Sequence, residues 1–162
     1  MQKLFKYIES GIVILLALVT ISIIIPFSDM FNFRDMIQEA KTREIFYEFD
    51  LPKQEYFNRT LEIDGLIYDP NSNEAYIFMT SRNLYNNSLP NWPTLTVITS
   101  NNIEKEIMTA GGGGSSNALR TRGYYHFSDL PQNIEEMVLS KEQYGQSFSF
   151  SFDLSGGADS NE

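Results

Sequence analysis

The clearest pattern in the chain lies near its end. In "QSFSFSFDL", Phe148, Phe150, Phe152 and Leu154 alternate with Ser147, Ser149, Ser151 and Asp153. A period of two puts the apolar side chains on one face and the polar ones on the other, so the segment predicts a half-buried strand. The same period runs less cleanly through "IFYEF" (45–49), "RTLEIDGLIYD" (59–69), "AYIFMTS" (75–81), "TLTVITS" (94–100), "IEKEIMT" (103–109), "ALRTRGYYHF" (118–127) and "IEEMVLS" (134–140). Turn-forming residues separate several of them: "PNSNE" at 70–74, "NN" at 101–102 and "KEQYG" at 141–145. About seven short strands at this spacing predict an all-β fold, an antiparallel β-sandwich spanning 45–154.

Upstream the period changes. In "DMFNFRDMIQEAKTRE" (29–44), Phe33, Met36, Ile37 and Ala40 recur at helical spacing with no Gly or Pro between them, which predicts a short amphipathic helix. Before it, no charged residue occurs from Ser10 to Ser28, a stretch containing "GIVILLALVTISIIIPF". As a helix this is roughly 28 Å long, close to one hydrocarbon core. Lys3 and Lys6 precede it, Tyr7 and Phe27 stand at its ends, and Pro26 falls where a helix can stop. Thr20, Ile21 and Ser22 make a poor signal-peptide cleavage site, and no polar stripe marks a buried core helix.

The resulting expectation is a single-pass membrane protein. It has a cytoplasmic tail at 1–9, a transmembrane anchor at 10–28 and a juxtamembrane helix or stalk at 29–44. The β-sandwich at 45–154 lies outside the cytoplasm and ends in a disordered tail at 155–162. Lys3 and Lys6 lie closer to the span than Arg34, Lys41 and Arg43, which favours the N-terminus inside.

Composition narrows the chemistry. The formal net charge of −9 argues against a nucleic-acid partner. The chain has no cysteine, which removes disulfides, thiol catalysis and zinc–thiolate sites. Its single histidine, His126, leaves at most one position for a histidine-based triad. No catalytic residue, metal ligand or cofactor is assigned. The run Gly111–Gly114 lacks the following helix and the lysine of a phosphate loop, and is expected to be a mobile connection between two strands. The turn holding Asp69, Asn71 and Asn73 opens like a calcium loop but has Glu74 and Thr80 where glycine and glutamate are needed.

Two groups of residues remain as candidate contact sites. Arg120, Arg122, Tyr124 and His126 share one face of a predicted strand and would form a cationic and aromatic strip on an acidic protein. The ordinary reading is a solvated face whose arginines answer nearby carboxylates. Tyr85 and Trp92 flank a loop whose aromatic rings could stack on a sugar, or whose Trp92 could fold back on the core.

From Thr60 to Leu154 the succession of strands, a glycine-rich connection, "FSDLPQNIEEMVLS" and "SFSFSFDL" resembles the immunoglobulin-like β-sandwich ectodomains of membrane-anchored Gram-positive bacterial proteins, including the anti-sigma-like type. The resemblance implies an immunoglobulin-like sandwich that binds, scaffolds or senses a protein partner at the cell envelope, with no catalytic residues to transfer. A tail of about ten residues before the apolar run is too short for a sigma-factor-binding domain, which departs from that type. The alternative function is a carbohydrate- or small-ligand-binding module that uses the Tyr85–Trp92 loop.

Overall fold

The computed structural model describes residues 2–24, 33–83, 88–117 and 119–155. Ten strands form two antiparallel sheets. β1 (Phe46–Tyr47), β2 (Gln54–Tyr56), β3 (Arg59–Asp69), β4 (Glu74–Arg82), β7 (Gly111–Ser116) and β8 (Arg120–Phe127) make the larger sheet, with β1 and β2 both on β3 and the order β3-β4-β8-β7. β5 (Thr94–Thr99), β6 (Glu104–Met108), β9 (Ile134–Gln143) and β10 (Gln146–Asp153) make the smaller one, ordered β10-β9-β5-β6. The two sheets share one core, as the alternating patterns require. Phe148, Phe150 and Phe152 of β10 are buried in it, and the serines between them are exposed. Phe152 meets Phe49 at 5.2 Å and Phe148 meets Tyr56 at 5.1 Å, both edge to face.

β3 carries two inward registers. Leu61 and Ile63 face the core, a bulge at Asp64 breaks the pairing with β4, and from there Leu66 and Tyr68 face inward. The extra residue reverses the alternation, as a bulge must. It also turns Ile67 outward, where Ile67 and Phe78 meet a helix. That helix, α2 (Arg34–Thr42), lies on the outer face of the larger sheet through Phe33, Met36, Ile37 and Ala40. These are the residues the sequence places on its apolar stripe. The stripe is spent on the sheet, so α2 is a docked helix and not a free stalk.

One ion pair ties α2 to the β3–β4 turn: Arg43 donates to Asp69 Oδ2 at 2.5 Å. The Asn71 N–H, which donates to Asp69 Oδ1 at 2.9 Å, holds this carboxyl below the ordinary carboxylate range; burial opposes the shift and Arg43 adds to it. A depressed folded value contributes stability above the unfolded pKa of about 3.9, and that stability is lost as pH falls through the folded value. Urea titrations should therefore show stability falling below about pH 4 with a steeper slope than in Asp69→Asn. Equal slopes would mean that Asp69 is not linked to folding.

α1 (Gln2–Ile24) precedes the sandwich, and its described side chains, Lys6 to Thr20, are all exposed. Among the described residues no helix is long and apolar enough to cross a membrane. This corrects the expected anchor at 10–28, of which 25–28 lie outside the described residues. It also removes the support for an integral membrane partner, a cell-membrane location and an N-in, C-out arrangement. The tail residues 156–162 lie outside the described residues as well.

A second correction concerns the glycines. Gly111–Ser116 is not a mobile connection but β7, paired along its length with β8 from Gly111↔His126 to Ser116↔Thr121. Asn117 closes the hairpin: its Oδ1 accepts from the N–H groups of Leu119 and Arg120. The glycines permit close strand approach. A Cβ on Gly112 would lie 2.6 Å from the carbonyl oxygen of Tyr124.

Candidate functional site

The cationic strip on β8 is largely consumed by the fold. Arg122 Nε donates to Asp64 Oδ2 at 3.1 Å, and Thr80 Oγ1 donates to the same oxygen at 2.8 Å, so the bulge carboxylate is held from two strands. Tyr124 packs edge to face on Phe33 at 5.3 Å and sits beside Phe78 under α2. His126 stacks on Tyr76 at 4.6 Å with a 12° tilt, and its Nε2 lies 3.5 Å from Glu74 Oε1. Arg120 faces the same way, in register with Arg82. The four residues are brought onto one face, where Arg122, Tyr124 and His126 serve as internal contacts of the sheet and of α2. Among the described residues no cluster of His, Cys, Asp or Glu is arranged to hold a metal.

The aromatic loop is placed differently. Tyr85 lies outside the described residues. Trp92 is 63% exposed, so it does not fold back on the core. Its backbone is in the left-handed region (φ 50°), a conformation that a bulky residue adopts only when its surroundings enforce it. Here they do. Arg59 Nη1 donates to Ser88 O, Tyr125 Oη donates to Pro90 O at 2.6 Å, and Lys141 Nζ donates to Trp92 O at 3.2 Å. Thr109 Oγ1 adds a bond to Pro93 O at 2.6 Å. Alternate carbonyls of the 88–92 segment are thus tied down by side chains from β3, β8 and β9. Burial pushes the Tyr125 phenol well above its ordinary value, so it remains a proton donor.

Between this segment and β7 runs an open groove of about 470 Å³. One wall is the glycine strand, the other is Ser88 to Trp92, and Thr121 and Tyr125 contribute to its lining. Among the described residues no Asp, Glu, Lys, Arg or His lines it, although the chain as a whole is strongly acidic. Thr121 is 8% exposed, and its buried Oγ1 has no hydrogen-bond partner. A buried hydroxyl without a partner costs about 1–3 kcal/mol.

β7 is also the end of its sheet, and it differs from the other described edges. β1 and β2 are two and three residues long. β6 carries Glu104, Lys105 and Glu106. On β10, the Ser149 N–H donates to Gln54 Oε1 at 2.9 Å and Gln54 Nε2 donates back to Ser149 O. Short length, charge and a covering side chain are the usual protections of an edge. β7 is six residues of glycine and serine and carries no charge.

Sequence reasoning placed Trp92 at a candidate site but missed the glycine strand and Thr121. The usable signal was Asn117, a turn residue that sets "GGGGSS" opposite "RTRGYYHF" at hairpin spacing. No protein-family model, curated protein or solved structure matches the chain, so nothing in these comparisons identifies an immunoglobulin-like ectodomain family.

Proposed function

We propose that the protein is a non-catalytic binding module that captures a protein partner in the groove between β7 and the 88–92 segment. The observation that carries this reading is the groove itself, with a fixed wall and an exposed Trp92 at its rim. Aromatic anchors beside preformed, uncharged clefts are where binding energy concentrates. Because side chains already hold the wall in place, little ordering cost falls on binding. Trp92 also favours a second reading, since an exposed indole can stack on a sugar ring.

Panning a random-peptide phage library and probing a glycan array with the same protein separates the two. The expected result is a convergent set of peptides whose affinity falls at least about tenfold in Trp92→Ala, with no glycan bound. Glycan binding that is lost in Trp92→Ala, with no enriched peptide, would establish the second reading instead.

A further inference from the structure

The two walls of the groove are held by different means. Hydrogen bonds from Arg59, Tyr125 and Lys141 fix the 88–92 segment. β7 begins with four glycines and has little side chain of its own to pack, which makes a strand intrinsically weak. Its cross-strand neighbour supplies what it lacks. Gly113 stands in register with Tyr124, whose ring lies over it: a Cβ built on Gly113 would be 3.1 Å from Tyr124 Cε1 and 3.3 Å from its Oη. An aromatic ring laid across a glycine in this way restores packing that glycine gives up.

The Tyr124 ring is positioned in turn by the residue that opens α2. Phe33 meets it edge to face at 5.3 Å, and Phe78 and Tyr76 stand beside it at 6.0 and 5.9 Å. Phe33 is a poor residue for the start of a helix. It occupies the N-cap with φ at 71°, makes no side-chain cap bond, and carries a bulky side chain in the left-handed region. Asparagine would suit the position better, since it both caps a helix and tolerates that backbone. A residue that is locally unfavourable is explained by what its side chain reaches, and here that is Tyr124.

Resting on the binding-module reading, we propose that docking of α2 controls the groove: Phe33 holds Tyr124 over Gly113, orders the glycine wall and so raises the affinity of the groove for its protein partner. Releasing α2 loosens that wall while the 88–92 wall keeps its hydrogen bonds. By linkage, a ligand held in the groove stabilises docked α2 to the same extent. Phe33 is a positioning residue: it acts through Tyr124 and is not part of the groove lining.

The test is Phe33→Asn in the full chain, with amide exchange measured by NMR. This substitution improves the local helix start and deletes the ring. The β7 amides bonded to β8 should exchange at least about fivefold faster than in the parent, and those of β9 and β10 less than about twofold faster. Phe46→Ala is the control. Phe46 packs in the same outer cluster but on β1, with β3 and β4 between it and β8, so β7 exchange should stay within about twofold of the parent. Neither residue belongs to the core between the sheets, so both variants keep that core. The peptide recovered by panning supplies the second readout. Trp92 is the only tryptophan, so its emission follows binding. Phe33→Asn should bind that peptide at least about threefold more weakly than the parent, and Phe46→Ala within a factor of about two. In the parent the peptide should slow exchange of the α2 amides.

Unchanged β7 exchange in Phe33→Asn would overturn the proposal, because the ring would then not order the wall. Equal acceleration in Phe46→Ala would overturn it too, since any loss from the outer cluster would then act alike. Faster β7 exchange with unaltered peptide affinity would leave the groove a binding site that α2 does not control. Those three results leave the binding-module reading standing. A folded parent that enriches no peptide would instead defeat that reading, and the control of affinity with it.

Discussion

Phe152→Ala is expected to lower the unfolding free energy by about 3–5 kcal/mol. Phe152 is fully buried, contacts Phe49 edge to face, and lies on the strand face that closes the smaller sheet over the core. Truncation removes the transfer energy of the ring and leaves a cavity that neighbours from two sheets cannot fully collapse into. On the opposite face, Ser149→Ala should change stability by less than about 0.5 kcal/mol. The Ser149 side chain is exposed, and Gln54 holds only its backbone, which alanine retains. Urea unfolding of both variants checks the pair. Similar losses at the two positions would show that β10 is buried on both faces.

The second large effect concerns the glycine hairpin. Gly123→Ala should cost about 3 kcal/mol, because the added methyl would meet the Gly113 carbonyl oxygen and lie 2.7 Å from Leu89 Cδ1. Both neighbours belong to the groove, so the strand and its wall would have to move apart. Gly111→Ala is the control. Nothing lies within 4 Å of its Cβ position, so the change should be neutral or stabilise by up to about 1 kcal/mol through the unfolded chain. If Gly111–Gly114 formed a mobile connection, both variants would behave like Gly111→Ala. A difference of less than about 1 kcal/mol between them would remove β7 from the sheet.

Much of the framework is legible in the chain because its signals are local. The alternation in "QSFSFSFDL" needs only neighbouring residues to name an inner and an outer face, and Phe148, Phe150 and Phe152 are buried as it predicts. The stripe Phe33, Met36, Ile37 and Ala40 likewise identifies the face of α2 that needs cover. On β8, Tyr125 and Phe127 are buried and Arg122, Tyr124 and His126 lie on the other side, which the period of two also supplies.

The apolar run near the N-terminus shows the limit of such a signal. Its hydropathy suggested a span, but among the described residues no helix is long and apolar enough to cross a membrane.

Tertiary structure decided what depends on partners distant in sequence. Nothing local says that Asp64 is a bulge; the pairing of β3 with β4 makes it one, and Thr80 and Arg122 then collect around it. Nothing local makes four glycines a strand either. Glycine has no side chain to carry an apolar period, so β7 exists only through its hydrogen bonds to β8. The groove needs still more: the carbonyls of Ser88, Pro90 and Trp92 are tied to Arg59, Tyr125 and Lys141, and Thr121 is left with nothing to bond. Sequence by itself determined which faces seek burial, because hydrophobic periodicity is a property of adjacent residues. Which strand ends the sheet, and which polar group stays unsatisfied, was decided only when the strands were brought together.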